Sequence, residues 1–243
     1  MTLAPQSDLN STRPRRVTTD KNTPYQLYSI SGAPRPWRVL LGLIVKGVEF
    51  EVRVLDASKK EHKSPEFLAL NARGRVPVIQ RDGFVLSESL AILSYLEQQH
   101  PDPPLFGTTA EEHARIWQLV STGEHDLNDA CSALLLPLFS RGKDDADEEV
   151  QRAALAVREE FTRLESQLSD SPFLSGARMT AADCVCFPHV RLVQRASERF
   201  PEVMRRLELH PLGVLYPQLA KWLDRVEALP GYERTFPTHW RAA

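Results

Sequence analysis

The chain has three cysteines, Cys131, Cys184 and Cys186, and none in its first 130 residues. An odd, sparse set without framework spacing argues against a disulfide scaffold and for a reducing compartment. With no thiol in the N-terminal half, Cys-x-x-Cys redox chemistry there is excluded, as is mixed-disulfide catalysis. No His or Cys cluster at metal-ligand spacing accompanies Cys184 and Cys186, so no metal is expected and all three read as small buried residues. Net charge is also scarce. Thirty basic against 32 acidic residues leave −2, so no global field draws nucleic acid or an anionic membrane. No apolar run reaches the ~18–20 residues that span a bilayer, and the N-terminus carries no apolar signal region. A cytoplasmic protein without membrane or nucleic-acid partners is the expectation. No internal repeat is visible.

What is present suffices for a large core. The chain has 243 residues, 42% of them hydrophobic, enough for one large domain or two small ones. Residues 1–23 are rich in Thr, Ser, Pro and Arg without apolar period and read as a disordered extension. Arg13, Arg15 and Arg16 suggest a transit peptide instead, against which Asp8 and Asp20 count. Tyr25–Ile30 suits a strand. Pro36 opens a helical pattern through Trp37, Val39, Leu40, Leu43 and Ile44, closed by Lys46-Gly47. Val48, Phe50, Val52 and Val54 alternate with charged residues, as in a half-buried strand. A polar, irregular stretch runs to Asn71. Val76–Ile79 and Phe84–Leu86 then flank Asp82-Gly83, a strong hairpin signal. Ser87 opens another helix bearing Leu90, Leu93 and Leu96. The order β-α-β-β-β-α implies a parallel pair plus an antiparallel hairpin.

Beyond this unit, residues 24–100, prolines mark a linker at 101–110. Residues 111–243 show only helical patterns: Glu111–Phe139, limited by Pro137, then Ala146–Leu168, Thr180–Ser197 and Leu215–Leu229. One more short helix fits within 199–212. The fold class is therefore α/β plus all-α.

Three motifs carry chemistry or capping. Val76-Pro77 enters a strand, where proline lacks the ladder donor. It is either a plain edge proline or a cis bond that turns the Val76 backbone toward an extended peptide ligand. Ser87-Glu88-Ser89 lies at a helix start. It serves either as simple capping or as a hydroxyl-plus-carboxylate site for an α-amino-acid end. Thr180-Ala181-Ala182-Asp183 reads as a capping box.

Together, "NARGRVPVI", "DGFVLSESLAILSYLE", "PDPPLFG" and "FLSGARMTAADC" resemble the cytosolic glutathione transferase superfamily over everything but the tail. The likeness is to its theta, phi or Ure2p-like serine-type members rather than its cysteine-type members. The resemblance implies a thioredoxin-like N-terminal domain, a helical C-terminal bundle and a homodimer. It implies a cis Val76-Pro77 whose Val76 backbone pairs with the cysteinyl part of glutathione. It implies that Glu88 and Ser89 hold the γ-glutamyl end. Arg75, and His62 in "KKEHKSPEF", fall where relatives meet the glycyl carboxylate, and cations suit that partner. His62 also fits a solvated loop residue.

The sequence departs from that pattern at the position that activates the thiol. Serine- and cysteine-using relatives carry that residue just before Pro and a following Arg-Val. Anchored on Arg38-Val39, this chain has Ala33-Pro34 there. A free thiol titrates near ~8.5, so the catalyst must favour the thiolate. Ser31 and Arg35 are the candidate activators, against turn hydrogen bonding for Ser31 and a solvent-facing charge for Arg35. Trp117, Ser121, Glu124, His125 and Asn128 fall at helical spacing and are expected to line the second substrate's pocket. A solvated helix face is the competing reading. Conjugation of glutathione to an apolar electrophile, in a detoxifying role, is the leading expectation. Two alternatives stand beside it: a glutathione-binding regulatory protein that has lost catalysis with Ala33, and a glutathione-dependent isomerase or lyase. The isomerase is weakened because Ala33-Pro34-Arg35 replaces the Ser-Ser-Cys run of zeta-like relatives.

Overall fold

The computed structural model describes residues 23–240. The expected extension, residues 1–23, therefore lies almost wholly outside the described residues. The chain starts with β1 (Tyr25–Ser29), α1 (Pro34–Val45) and β2 (Phe50–Val54), followed by α2 (Pro65–Leu70). The strands β3 (Val78–Arg81) and β4 (Phe84–Ser87) and the helix α3 (Ser89–Gln99) complete the sheet unit. The sheet order is β2-β1-β3-β4. β1 runs parallel to β2, with Leu27 opposite Val52, and antiparallel to β3, with Leu27 opposite Ile79. β3 and β4 form the expected hairpin, turning at Asp82 (φ 49°) and Gly83 (φ 80°), both left-handed as a tight two-residue turn requires. A mixed sheet followed by helices is the thioredoxin-like plus all-helical arrangement anticipated from the sequence.

The rest is helical among the described residues: α4 (Ala110–Thr122), α5 (Asn128–Ser140), α6 (Glu148–Gln167) and α7 (Ala181–Arg199), then α8 (Pro201–Arg206), α9 (Leu212–Leu215) and α10 (Pro217–Glu227). α1 lies between the sheet unit and α7, which explains why Trp37, Val39, Leu41 and Leu43 are all buried around its circumference. Lys46 closes α1 and is itself buried. Its Nζ donates to Glu97 Oε2 on α3 (2.5 Å) and to Pro103 O (2.6 Å), and Glu97 also accepts from Leu105 N. One charged pair thus fastens α1, α3 and the segment leaving the sheet unit.

Several elements differ from the sequence reading. The polar stretch before Asn71 holds a 3₁₀ turn, Glu61–Lys63, and the one-and-a-half-turn α2. Ser64 caps α2 by accepting from Phe67 N, and Pro65 takes the first turn. The helix buries only Phe67, so it leaves no apolar period to detect. Ser87 closes β4 instead of opening α3. β2 is an edge strand, and after Phe50 it is exposed, with Val52 at 36% and Val54 at 56%. Its alternation therefore marks a sheet edge and not a half-buried strand. Pro137 and Pro188 sit inside α5 and α7 rather than ending them.

The expected single helix across 111–139 is two helices joined by a π turn, Gly123–Leu127. Gly123 is pressed onto α7. A Cβ there would lie 2.8 Å from Cys186 Sγ and 3.0 Å from a Val185 methyl. Such π turns insert one residue into the helical register.

The capping box forms at the start of α7, and its carboxylate does more than cap. Asp183 is fully buried and accepts from Thr180 N (2.8 Å), Thr180 Oγ1 (3.1 Å), Leu174 N (2.9 Å) and Trp222 Nε1 (2.9 Å). It joins the α6–α7 loop, α7 and α10. Asp183→Ala strands these buried donors, each unpaired donor costing ~1–3 kcal/mol. The expected result is a loss of at least ~3 kcal/mol in urea unfolding. A smaller change would show that water replaces the carboxylate.

Candidate functional site

Four groups of residues converge on one cavity of about 420 Å³. The first is the 3₁₀ turn at His62 together with the loop Asn71–Arg75. Lys63 Nζ donates to Arg73 O (3.1 Å) and Gly74 O (2.9 Å), and Asn71 Nδ2 donates to Arg75 O (2.7 Å). These bonds hold His62 and Arg75 at one end of the cavity wall. His62 Nδ1 is buried without a hydrogen-bond partner among the described residues. A buried polar atom of this kind calls for a ligand group or water.

The second group, directly following Arg75, is Val76-Pro77, whose peptide bond is cis. The β3 ladder starts at Val78, so the Val76 backbone lies just past the paired strand and beside the cavity. The third is the β4–α3 junction. Glu88 has φ +70° and ψ 111°, a region that costs a non-glycine residue of order 1–3 kcal/mol and that clusters at functional sites. Ser89 follows at the first position of α3, nearly buried. His62, Arg75, Val76, Pro77, Glu88 and Ser89 all line the same cavity.

The fourth wall combines α1 with the π turn. Arg38 has no exposed side-chain surface. It pairs with Glu124, donates from Nη1 to Ser89 Oγ (3.4 Å) and approaches His189 Nε2 (3.4 Å). Arg35, half-exposed at the mouth, donates from Nη2 to Glu124 Oε1 (3.1 Å). Burial works against the Glu124 carboxylate, yet the Arg38 and Arg35 guanidiniums hold its pKa below the usual range. Burial, reinforced by the Arg38 cation, pulls the His189 imidazole down to about 3, so it is neutral at pH 7.

The candidate activators separate. Arg35 lines the cavity, whereas Ser31 does not. Ser31 Oγ lies 3.0 Å from His239 Nδ1 at the other end of the chain. Ala33 stands before α1 and makes no side-chain cap bond. The five residues expected at the second-substrate pocket also part company. Glu124 lines the cavity. Trp117 stacks on Phe106 (centroids 5.1 Å apart), Asn128 donates to Asp129 Oδ1, and Ser121 and His125 are exposed. The extra residue of the π turn rotates α5 by about one helical step of 100° relative to α4, which undoes spacing counted on a regular helix. Lys63, Asn71, Arg38 and His189 are contributors that sequence reasoning missed as site residues. Asn71 heads the "NARGRVPVI" motif and could have been found there. Nothing local marks an arginine as fully buried or a histidine as its neighbour 151 positions away.

Among the described residues, no group of three or more His, Cys, Asp or Glu gathers at metal-binding distance, and no helix is long and apolar enough to cross a membrane. The three cysteines are buried, and burial drives their thiol pKa values upward.

Residues 23–98 match the family described as "Glutathione S-transferase, N-terminal domain", and residues 147–225 match "Glutathione S-transferase, C-terminal domain". Human glutathione S-transferase theta-2B is 30% identical, over 79% of this chain and 76% of that protein. A probable maleylacetoacetate isomerase of Caenorhabditis elegans is 31% identical, over 87% of this chain and 92% of its own. The crystal structure of a glutathione S-transferase from the Antarctic clam Laternula elliptica superposes with a TM-score of 0.77. Its identity is 28%, covering 90% of this chain and 95% of that one.

The His189 imidazole makes acid stability testable. Its folded pKa lies below the unfolded value of 6.5, so the unfolded chain binds the extra proton and stability falls as pH drops from ~6.5 toward ~3. Glu124, with its pKa also lowered, adds to the loss only below ~4.5. Between pH 7 and pH 5 the His189 contribution is about 2 kcal/mol. Urea unfolding of His189→Asn should lose less stability over that interval than wild type by about this amount. Parallel pH dependences would show that the fold leaves the His189 pKa at its unfolded value.

Proposed function

The chain belongs to the cytosolic glutathione transferase superfamily, and we propose that its cavity holds glutathione and that the enzyme joins the tripeptide's thiol to an electrophilic small molecule. The observation that carries this reading is the convergence of His62, Arg75, Val76, Pro77, Glu88 and Ser89 on one cavity. Their chemistry matches the ligand end by end. Glutathione carries a carboxylate at its glycyl end and an ammonium with a carboxylate at its γ-glutamyl end. His62 and Arg75 offer cationic or donor groups for the first. Glu88 receives the ammonium, and Ser89 with the α3 N-terminus receives the adjoining carboxylate. The Val76 backbone pairs with the cysteinyl unit as an added strand would.

In this pose the thiol points toward the loop before α1 and toward Arg35. A nearby cation and the helix N-terminus both favour thiolate. Glu124 tempers Arg35, so the helix end and a hydroxyl donor must share the task. In the same reading residues 24–100 hold the tripeptide, residues 101–110 link, and residues 111–243 face an apolar second substrate. The working form is a cytoplasmic homodimer in a detoxifying role. A second reading, in which glutathione is a cofactor of isomerisation, is favoured by relatives named maleylacetoacetate isomerase. A third, binding without turnover, is favoured by Ala33 at the position expected to activate the thiol.

Calorimetric titration with glutathione and turnover of a generic aryl halide separate these readings. Arg75→Ala and Ser89→Ala are each expected to weaken glutathione binding about tenfold, the value of one charge-assisted hydrogen bond. Unchanged affinity in both would remove the tripeptide from this cavity. Tight binding without turnover of several electrophile classes would leave the binding protein. Cis–trans isomerisation of an unsaturated diketo acid would favour the isomerase.

A further inference from the structure

Ser31 is absent from the cavity wall, yet Ile30 and Arg35, on either side of its loop, are part of that wall. What holds the loop comes from the far end of the chain. Trp240 is nearly buried. Its ring meets Trp37 edge-on (5.3 Å) and Phe236 (5.7 Å), and the Arg195 guanidinium lies 4.3 Å over its face. This anchors the 3₁₀ turn that carries His239. Gly32 (φ +77°) admits the close approach, since a Cβ there would lie 3.2 Å from His239 Cε1 and 3.4 Å from Trp240 Nε1. His239 itself is exposed and bonds Ser31 through Nδ1. Partial burial and the Arg195 cation lower its pKa, so the imidazole is uncharged at neutral pH and offers one N–H.

We propose that His239 is a positioning residue for thiol activation: its Nδ1–H donates to Ser31 Oγ, which leaves the Ser31 hydroxyl hydrogen to be donated to the sulfur of bound glutathione. The C-terminal turn thereby supplies what Ala33 lacks. A serine hydroxyl whose oxygen already accepts a bond has its remaining hydrogen directed away from that donor and is a better donor for it. This inference rests on the proposed binding of glutathione, and it concerns the ionisation of the thiol and not the affinity for the tripeptide.

The test is a pH titration of thiolate absorbance in the glutathione complex, run on wild type, His239→Ala, His239→Asn, Ser31→Ala and the double variant. His239 is exposed, so its replacement leaves the Trp240 anchor in place. His239→Ala should raise the bound thiol pKa by about one unit and lower kcat/KM about tenfold at a pH below the wild-type value, with the Kd for glutathione held within about twofold. Asparagine, whose amide nitrogen can occupy the Nδ1 position, should restore most of the shift. The double variant should be no worse than Ser31→Ala, because the histidine acts through the serine. A thiol pKa that is unchanged or lowered in His239→Ala overturns the inference, the lowered value indicating that Nδ1 accepts from Ser31 instead. A wild-type complex whose thiol titrates as in free solution overturns it as well, while a Kd in the usual ligand range would keep the binding reading intact. Absence of glutathione binding defeats both.

Discussion

A guanidinium with no exposed surface must be neutralised where it lies, and Arg38 sets that requirement for the whole interface between α1 and the helices. Desolvating such a charge costs several kcal/mol unless a partner and further hydrogen bonds are in place. Glu124 is that partner, and it comes from a turn that is not α-helical. The π turn forms where Gly123 presses on Cys186 and Val185, an approach closed to any side chain. Arg35, Ser89 and His189 then arrange themselves around the pair. The same carboxylate forms part of the cavity wall. Joining α1 to the helical half and shaping the site are therefore one electrostatic problem with one solution.

The cavity bears the marks of a site held ready for a ligand. Glu88 is kept in a left-handed backbone conformation at the head of α3, and His62 keeps a buried nitrogen without a partner among the described residues. Each is unfavourable in isolation, and both residues line the same space. The wall residues are braced by bonds among themselves and to the adjoining loop, such as Lys63 to the Arg73 and Gly74 carbonyls and Asn71 to the Arg75 carbonyl. Bracing of this kind holds recognition groups in place before a ligand arrives and so reduces the ordering cost of binding.

How much of this was legible in the sequence depended on how local the signal was. The Asp82-Gly83 hairpin, the proline and glycine around α1 and the Thr180–Asp183 box act within a few residues, and each element formed. α2 escaped notice because a helix of six residues burying one phenylalanine has no periodicity to read. β2 alternates as a buried strand does, but its exposure was decided by its place at the sheet edge. The helix expected across residues 111–139 looked continuous because no residue type announces a π turn. Its cause, close packing against α7, is tertiary.

By itself the sequence determined the family, the order of sheet unit and helices, and the short motifs around Val76-Pro77 and Glu88-Ser89 that come to line one cavity. Those motifs are runs in which neighbouring residues supply one another's geometry. Tertiary structure alone decided which distant groups stand against α1 and the loop before it. The burial of Arg38, the aim of Glu124 and the His239 nitrogen beside Ser31 join residues from 86 to 208 positions apart. Burial and long-range hydrogen bonding are properties of packed surfaces, and no local pattern of residues encodes them.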